Sequence, residues 1–477
     1  MEMSAAVTAS AATGTDGLTS LPVRRPPVRA PRWWRDAVGA VTWLTMLVVV
    51  ALWISGGGIQ AMGTPAGALT SLGRLTGLVA ADLLLVQVLL MARIPVVERV
   101  YGQDDLARRH RLVGFASFHL MLAHLVLVVI GYALTFRTDV FGEFWGLVVD
   151  APGMLLALAG TLLLVMVVVL SVRAARRRLR YESWHLLHLY AYLGVGLAIP
   201  HQLWTGQDFL ADPIATVYWW TLWAAAAGCL LVFRVGLPVY RSLVHDLRVS
   251  AVVHESPDVV SVWMQGRRLD RLPVAAGQFL TWRFLSGPGW TRGHPYSLSA
   301  APTGDTLRIT VKDLGDGSRA LAAVKPGTRV LVEGPYGRLT AGVRTRRKVT
   351  LMAAGIGISP LRALLEDLAQ APGDVTLLYR ARSTADLVLR HELDALAQRT
   401  GARVFYLVGP RLPGRPTWLP ASAAGLSEVD GLRRLVPDIA DHDVYLCGAD
   451  AWMEAARRAV AAAGVPTAHI HQERFAW

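Results

Sequence analysis

Of the thirteen histidines in the chain, four have the spacing of paired metal ligands. His110 and His124 stand fourteen residues apart in RRHRLVGFASFHLMLAH, at the entrance to an apolar run and inside it. At 100° per residue, fourteen steps return to within about 40° of the starting direction, so both lie on one helix face. The rise of about 1.5 Å per residue sets them about 21 Å apart, most of the roughly 30 Å hydrocarbon core of a bilayer. Ionisable residues in an apolar span are rare and costly, so two on one face imply a bound group, a proton path or a buried partner. The segment YESWHLLHLYAYLGVGLAIPH carries a second set, His185, His188 and His201. His188 and His201 are thirteen residues apart, about 140° out of phase on an ideal helix, and Pro200 must loosen or bend the turn to bring them together. His185 shares nearly the same face as His188 and stays open as its alternative. Matched depths pair His110 with His188 and His124 with His201, and two bis-histidine haems stacked across a membrane fit that arrangement. His119, half a turn out of phase with His110, reads as a packing residue.

The elements that must hold these residues are membrane spans. The chain has 477 residues, 53% of them hydrophobic and 17% charged, too apolar for an ordinary soluble enzyme and too charged for a protein that is all membrane. Six apolar runs are visible, at 37–56, 75–94, 112–134, 152–172, 185–203 and 216–236, each near the twenty residues a spanning helix needs. The net charge of +13 is distributed as topology rather than as a nucleic-acid footprint. Arginines crowd the N-terminal tail, the second-to-third loop (Arg93, Arg99, Arg108, Arg109, Arg111) and the fourth-to-fifth loop (Arg173, Arg176, Arg177, Arg178, Arg180). The alternate loops hold little beyond Arg74 and Arg137, which could be interface anchors or partners for an anionic group. Positive-inside bias then puts both termini in the cytoplasm of a multi-pass plasma-membrane protein, with spans three and five running in the same direction. Residues 1–36 read as a disordered basic tail. Cys229 and Cys447 are the only cysteines, so neither a disulfide framework nor a cysteine metal site is expected.

After residue 242 the chain reads as alternating strands and helices with ordinary charge. GQFL at 277–280 and HPYSLS at 294–299 are strand-like, and VKDLGDGSRAL at 311–321 is a glycine-rich turn before a helix start, where backbone N–H groups can face an anion. KVTLMAAGIGISPLRALLEDL is an apolar strand, a glycine turn and an amphipathic helix, the arrangement that lets a phosphate approach backbone amides. It is not the GxGxxG fingerprint.

Taken in this order the motifs resemble the bacterial NADPH oxidase and ferric reductase-like transmembrane flavocytochromes, a ferric reductase-like haem domain joined to a ferredoxin reductase-type module. The resemblance implies a six-helix transmembrane haem bundle at 37–242, an antiparallel β-barrel FAD domain at 243–342 and an α/β parallel-sheet NAD(P)H domain at 343–477. It implies flavin contacts from His294, Pro295, Tyr296, Ser297, Leu298 and Ser299, with Lys312, Gly317 and Ser318 on the pyrophosphate side. His294 stands where soluble members usually carry Arg. Gly355, Gly357, Ser359 and Pro360 match the nucleotide turn, and Cys447 and Gly448 match the turn beside the nicotinamide, although Ala449 replaces the usual Pro. Glu473 and Phe475 of the terminal HIHQERFAW are the family's flavin-facing tail, and Phe475 or Trp477 could cover the ring. Arg380 and Arg382 end the next strand where a 2′-phosphate would lie, favouring NADPH over NADH.

The implied activity carries electrons from cytoplasmic NADPH through FAD and two haem b groups, held by His110, His188, His124 and His201, to an acceptor outside. A hydride carries two electrons and a haem accepts one, so a flavin converter is required. Oxygen, giving superoxide, and a ferric chelate rank nearly equal as that acceptor. The alternative is a cytoplasmic flavoreductase whose spans serve only as an anchor. The expected partners are membrane lipid and the small-molecule acceptor, not nucleic acid.

Overall fold

The computed structural model describes residues 7–10, 33–172, 181–210, 212–287, 289–414 and 417–473. They fall into two compact units, 31–234 and the remainder of the chain. Expectations for Phe475 and Trp477 lie outside the described residues, as does most of the tail. The described part of 1–36 is ordered into elements: Val7–Ser10 is a short strand and helix begins at Trp33.

The described residues of the first unit form helices and the turns that join them. Five helices are long and apolar enough to cross a bilayer: Trp33–Ser55, Pro65–Leu90, Gln103–Phe136, Met154–Ser171 and Pro213–His245. The helix Tyr181–Trp204 is 24 residues long but does not meet the same apolar standard, because His185, His188 and His201 interrupt its aliphatic residues. These six helices are labelled spans one to six below, in chain order, the label marking position in the chain alone. The second span starts ten residues before the apolar run expected at 75, since Thr64 caps it by accepting from the Gly67 N–H and Pro65 stands in its first turn. The third is also longer than its apolar run, at 34 residues. Beyond Cys229 the sixth helix loosens into a π-helical stretch, Leu230–Gly236, before Leu237–His245.

Packing in this unit runs along neighbours. The third span lies against the second and the fifth against the fourth, where Gly160 and Gly194 let the backbones approach. Spans one, two and six close around Val49, Trp53, Leu78, Leu85 and Trp219. A buried carboxylate, Asp82, ties the same three helices together, accepting from Tyr218 at 3.0 Å and Thr45 at 3.1 Å. Arg74 is paired with Asp208, its Nε donating at 2.8 Å.

The second unit begins with two three-stranded antiparallel sheets in place of the expected closed barrel. One has the order β2 (Arg248–Ser256), β3 (Val259–Gln265), β6 (Thr306–Lys312); the other β5 (His294–Ser297), β4 (Phe279–Phe284), β7 (Val330–Tyr336). Two isolated bridges, Arg248 to Arg329 and Leu298 to Ile309, link them. Their inner faces share a core that includes Val262, Leu280, Trp282, Leu298 and Ile309.

A six-stranded sheet follows, ordered β1 (Val7–Ser10), β10 (Arg403–Val408), β9 (Val375–Ala381), β8 (Val349–Ala354), β11 (Asp443–Cys447), β12 (Ile470–Gln472). All its strands are parallel except β1, which pairs antiparallel with β10. Helices cover both faces, so successive residues of one strand enter different cores: Leu351 packs with Leu361, Leu364 and Leu393, and Met352 with Trp418, Leu446 and Met453. The chain leaves β8 toward β9 on one side and returns to β11 on the other. That reversal makes a crevice at the carboxyl ends of β8 and β11, where open α/β sheets bind ligands.

Candidate functional site

In the helical unit the four histidines form two pairs. The rings of His110 and His188 have centroids 6.0 Å apart and planes at 62°; those of His124 and His201 are 6.2 Å apart at 63°. A metal ion between two imidazoles needs bonds of about 2 Å on each side. With roughly 1 Å more from nitrogen to ring centre, coaxial rings stand about 6 Å apart. Both pairs meet that spacing.

Three of the four Nδ1 atoms are already engaged. His110 Nδ1 lies 3.3 Å from the Gln87 carbonyl oxygen, His124 Nδ1 2.8 Å from that of Gly73, and His188 Nδ1 3.3 Å from Ser171 Oγ. Ser171 donates its own hydrogen to Val167 O at 2.7 Å, so its oxygen is free to accept from the imidazole. An Nδ1–H held this way fixes the tautomer and leaves Nε2 as the ligand atom, the outer support usual at metal-binding histidines. His201 Nδ1 is buried without a protein partner among the described residues. Gly77 makes the space for His124: a Cβ built there would stand 2.5 Å from its Nδ1. His119 turns to the carbonyl of its own Phe115 at 2.8 Å and joins neither pair. The structure brings His188 opposite His110. Gly73, Gly77 and Ser171 went unnoticed in the sequence; two glycines one turn apart in a span were the available signal.

In the second unit the crevice at β8 and β11 gathers the nucleotide-turn residues. Gly355 has φ +55°, a region that glycine enters readily. A Cβ on Gly357 would overlap the Cys447 carbonyl, so glycine is what allows the two turns to meet. A Cβ on Gly448 would stand 2.9 Å from that of Ala354. Ser359 donates to the Thr310 carbonyl at 3.0 Å and Pro360 is buried beside it, so this turn is locked onto β6. Cys447 is wholly buried; burial pushes its thiol well above the usual range and the nearby Glu473 carboxylate adds to this, so the sulfur stays protonated. Arg380 directs its guanidinium to the carbonyls of Ala381, Leu407 and Pro410, and burial, with Arg411 and Arg382 nearby, lowers its pKa to about 10. Arg382 and Arg411 are exposed beside it, and Arg411 was not singled out in the sequence.

In the antiparallel sheets of this unit, His294 and Tyr296 lie on β5 with nearly parallel rings 6.1 Å apart. Trp282 Nε1 donates to the Tyr296 carbonyl at 2.9 Å and holds the strand. Gly317 closes onto His294, with a Cβ there only 2.5 Å from its ring. Burial pushes the Tyr296 phenol up to about 12, so it is neutral at ordinary pH. Several neighbours are committed to the scaffold. Leu298 is core, Ser297 is buried, and Ser299 accepts from Arg308 at 3.0 Å and Thr310 at 2.7 Å. Pro295 is half-buried on β5 between His294 and Tyr296. Lys312 pairs with Asp258 at 2.9 Å. Ser318 accepts from the Leu314 N–H and donates to Gly315 O, shaping the turn from within, and the helix it begins is a single turn, Asp316–Arg319.

Known proteins divide the chain in the same way. Residues 76–199 match the family described as ferric reductase like transmembrane component, and 351–458 match the oxidoreductase NAD-binding domain. The chain is 33% identical over 244 residues to the ferredoxin reductase component of a 3-ketosteroid-9-alpha-monooxygenase from Mycolicibacterium smegmatis, a stretch covering 49% of this chain and 66% of that protein. It is 32% identical over 212 residues to ferredoxin–NADP reductase B from Sorangium cellulosum, covering 42% of this chain and 84% of that one. The FAD/NAD-binding domain of a nitric oxide dioxygenase from Vibrio cholerae matches 48% of this chain and 98% of its own length at 29% identity, with a TM-score of 0.40. The chain thus spans less than two thirds of the ketosteroid relative. It belongs through its C-terminal half to the ferredoxin–NADP reductase family of oxidoreductases, a flavin and NAD(P)H module, here joined to a ferric reductase-like transmembrane component.

Proposed function

We propose that this protein is a transmembrane flavocytochrome that takes electrons from cytoplasmic NADPH and delivers them to a small acceptor on the opposite side of the membrane. When bound, FAD accepts the hydride of NAD(P)H and releases its electrons singly to two haem b irons, which conduct them across the bilayer. The observation carrying the reading is the pair of imidazole spacings, 6.0 and 6.2 Å, about 21 Å apart along one helix. His110 and His188 are the inner ligands, His124 and His201 the outer. The Gln87 and Gly73 carbonyls and the Ser171 hydroxyl hold three of these rings in the donor tautomer.

In the reductase module Tyr296 supplies a flat, neutral ring for the isoalloxazine. His294 and the Gly317 turn line the pyrophosphate side. The Gly355–Gly357 turn admits the nucleotide phosphates to backbone amides. Gly448, Cys447 and Glu473 flank the nicotinamide, with the Cys447 thiol acting as a neutral wall. Arg382 and Arg411 face the 2′-phosphate that distinguishes NADPH. Six spans, with both termini cytoplasmic, follow when Tyr181–Trp204 crosses as the fifth. The acceptor is oxygen or a ferric chelate.

The test is an absorbance spectrum of the purified protein under anaerobic conditions before and after NADPH. A Soret band that sharpens, with new α and β bands, is expected; admitting oxygen or a ferric chelate then identifies which one reoxidises it. Flavin bleaching without any haem signal refutes the transmembrane path and leaves a membrane-anchored flavoreductase.

A further inference from the structure

Strand β12 is three residues long, Ile470–Gln472, and lies at the edge of the parallel sheet against β11. Its register pairs Val444 with Ile470, Tyr445 with His471 and Leu446 with Gln472. Carried one residue further, the same register sets Glu473 beside Cys447. Glu473 fits there closely: a Cβ on Gly337 would stand 2.5 Å from its carboxylate, and its charge acts on the Cys447 thiol. Three ladder positions specify register weakly, and a slip of one residue would turn every side chain to the other face and put Gln472 or the residue after Glu473 at that place.

At the other end of the same short strand pair lies a wholly buried carboxylate, Asp443. Its Oδ1 faces His469 Nδ1 at 3.0 Å, in the turn just before β12, and His471 Nε2 at 3.3 Å, in the strand itself. Its Oδ2 accepts the backbone N–H of Thr345, and that of Arg346 at 2.7 Å. The Thr345 hydroxyl lies within 3.2 Å of Asp443 and 2.9 Å of His469 Nδ1. Burial alone would raise this carboxyl, but the His471 bond, the two backbone donors and the His469 bond hold it well below the usual carboxylate range. An anion anchored to the loop before β8 thus grips β12 at His471 and the turn that leads into it at His469, one residue ahead of the first ladder pair.

We infer that His469, His471 and Asp443 form a register clamp that sets β12 and thereby positions Glu473 beside Cys447 at the nicotinamide turn. The three are positioning residues: from Asp443 to Cys447 is four residues of strand, about 13 Å, so none touches the reacting atoms. The inference rests on the reading of that turn as the place of hydride transfer.

The test uses the full-length protein loaded with flavin and follows anaerobic flavin bleaching by NADPH at saturating nucleotide. His469→Leu with His471→Leu removes both donors; His469→Asn with His471→Gln keeps a donor near each lost nitrogen. The leucine pair is expected to slow bleaching at least tenfold, as Glu473→Gln does, while leaving the KM for NADPH within twofold. Adding Glu473→Gln to the leucine pair should cause no further loss, and the Asn/Gln pair should recover most of the rate. Hydrogen exchange should show the amides of 470–472 unprotected in the leucine pair and protected in Glu473→Gln. Additive losses, an unchanged leucine pair, or a slow leucine pair beside a normal Glu473→Gln each overturn the clamp. Should the double variant not fold, His471→Leu alone enters the same cycle with the same outcomes. An unmodified protein that NADPH does not bleach would instead refute the functional reading.

Discussion

Replacing Gly77 with Ala isolates the outer histidine pair. Within a helix the change by itself favours folding by about 1 kcal/mol. Here the new Cβ would stand 2.5 Å from His124 Nδ1 and 2.9 Å from two ring carbons, where ordinary contact begins at 3.4 Å. The ring must therefore retreat by about 1 Å, since the helix backbone it would otherwise move is packed on its neighbour. That retreat breaks the 2.8 Å bond to the Gly73 carbonyl, about 1 kcal/mol, and adds overpacking strain of about 1–3 kcal/mol. A metal–nitrogen bond tolerates only about 0.2 Å, so the 6.2 Å pair no longer accommodates an axial metal while the 6.0 Å pair, about 21 Å away, is untouched. The assay is haem per flavin after pyridine extraction. Two per chain should fall to one, with NADPH-to-flavin transfer unchanged. Gly228→Ala, in the sixth span with nothing within 4 Å, is the control and should retain two. A Gly77→Ala protein holding two haems with an unaltered reduced spectrum would refute the reasoning.

Two further outcomes follow from the soluble module. Arg382→Gln with Arg411→Gln should raise the KM for NADPH about tenfold and leave that for NADH unchanged, measured by anaerobic flavin bleaching; equal effects on both nucleotides would remove these arginines from 2′-phosphate recognition. Asp438, bonded to Lys348 and His442, has its pKa lowered to about 2, chiefly by the Lys348 contact and against the effect of burial. A depressed carboxyl contributes stability that is fully present above its unfolded pKa of about 4 and is lost as pH falls toward 2, so Asp438→Asn should flatten the acid limb of the melting temperature between those values.

What could be read from the sequence was what a single element encodes. His110 and His124 share a face because both belong to one helix, and the helical period suffices to find them. His188 and His201 are out of phase on an ideal helix, and their alignment became plain only across the gap to the third span. Gly73, Gly77 and Ser171 act on a neighbouring helix, a relation no periodicity along one helix contains. Likewise the inward turn of Arg380 could not be foreseen: a parallel strand buried on both faces has no alternation to tell a phosphate-facing arginine from one that binds carbonyls. The closed barrel was inferred from motif order, whereas the strands form two linked sheets. Residues 7–10 were assigned to the tail on composition, and their pairing with β10 is a long-range contact that composition does not report.

The fifth helix has one more consequence, for biogenesis. Its three histidines make it a poor substrate for partition from the translocon into lipid, where each polar side chain weakens insertion. Its predecessor, Met154–Ser171, has no charged residue and meets it at Gly160 and Gly194, where a Cβ on either would press on the carbonyl of the other. On the six-span topology the two enter the bilayer as a hairpin, the greasy helix carrying the one that bears the histidines. A bulky residue at Gly160 would then act before any cofactor arrives, by leaving Tyr181–Trp204 outside the membrane.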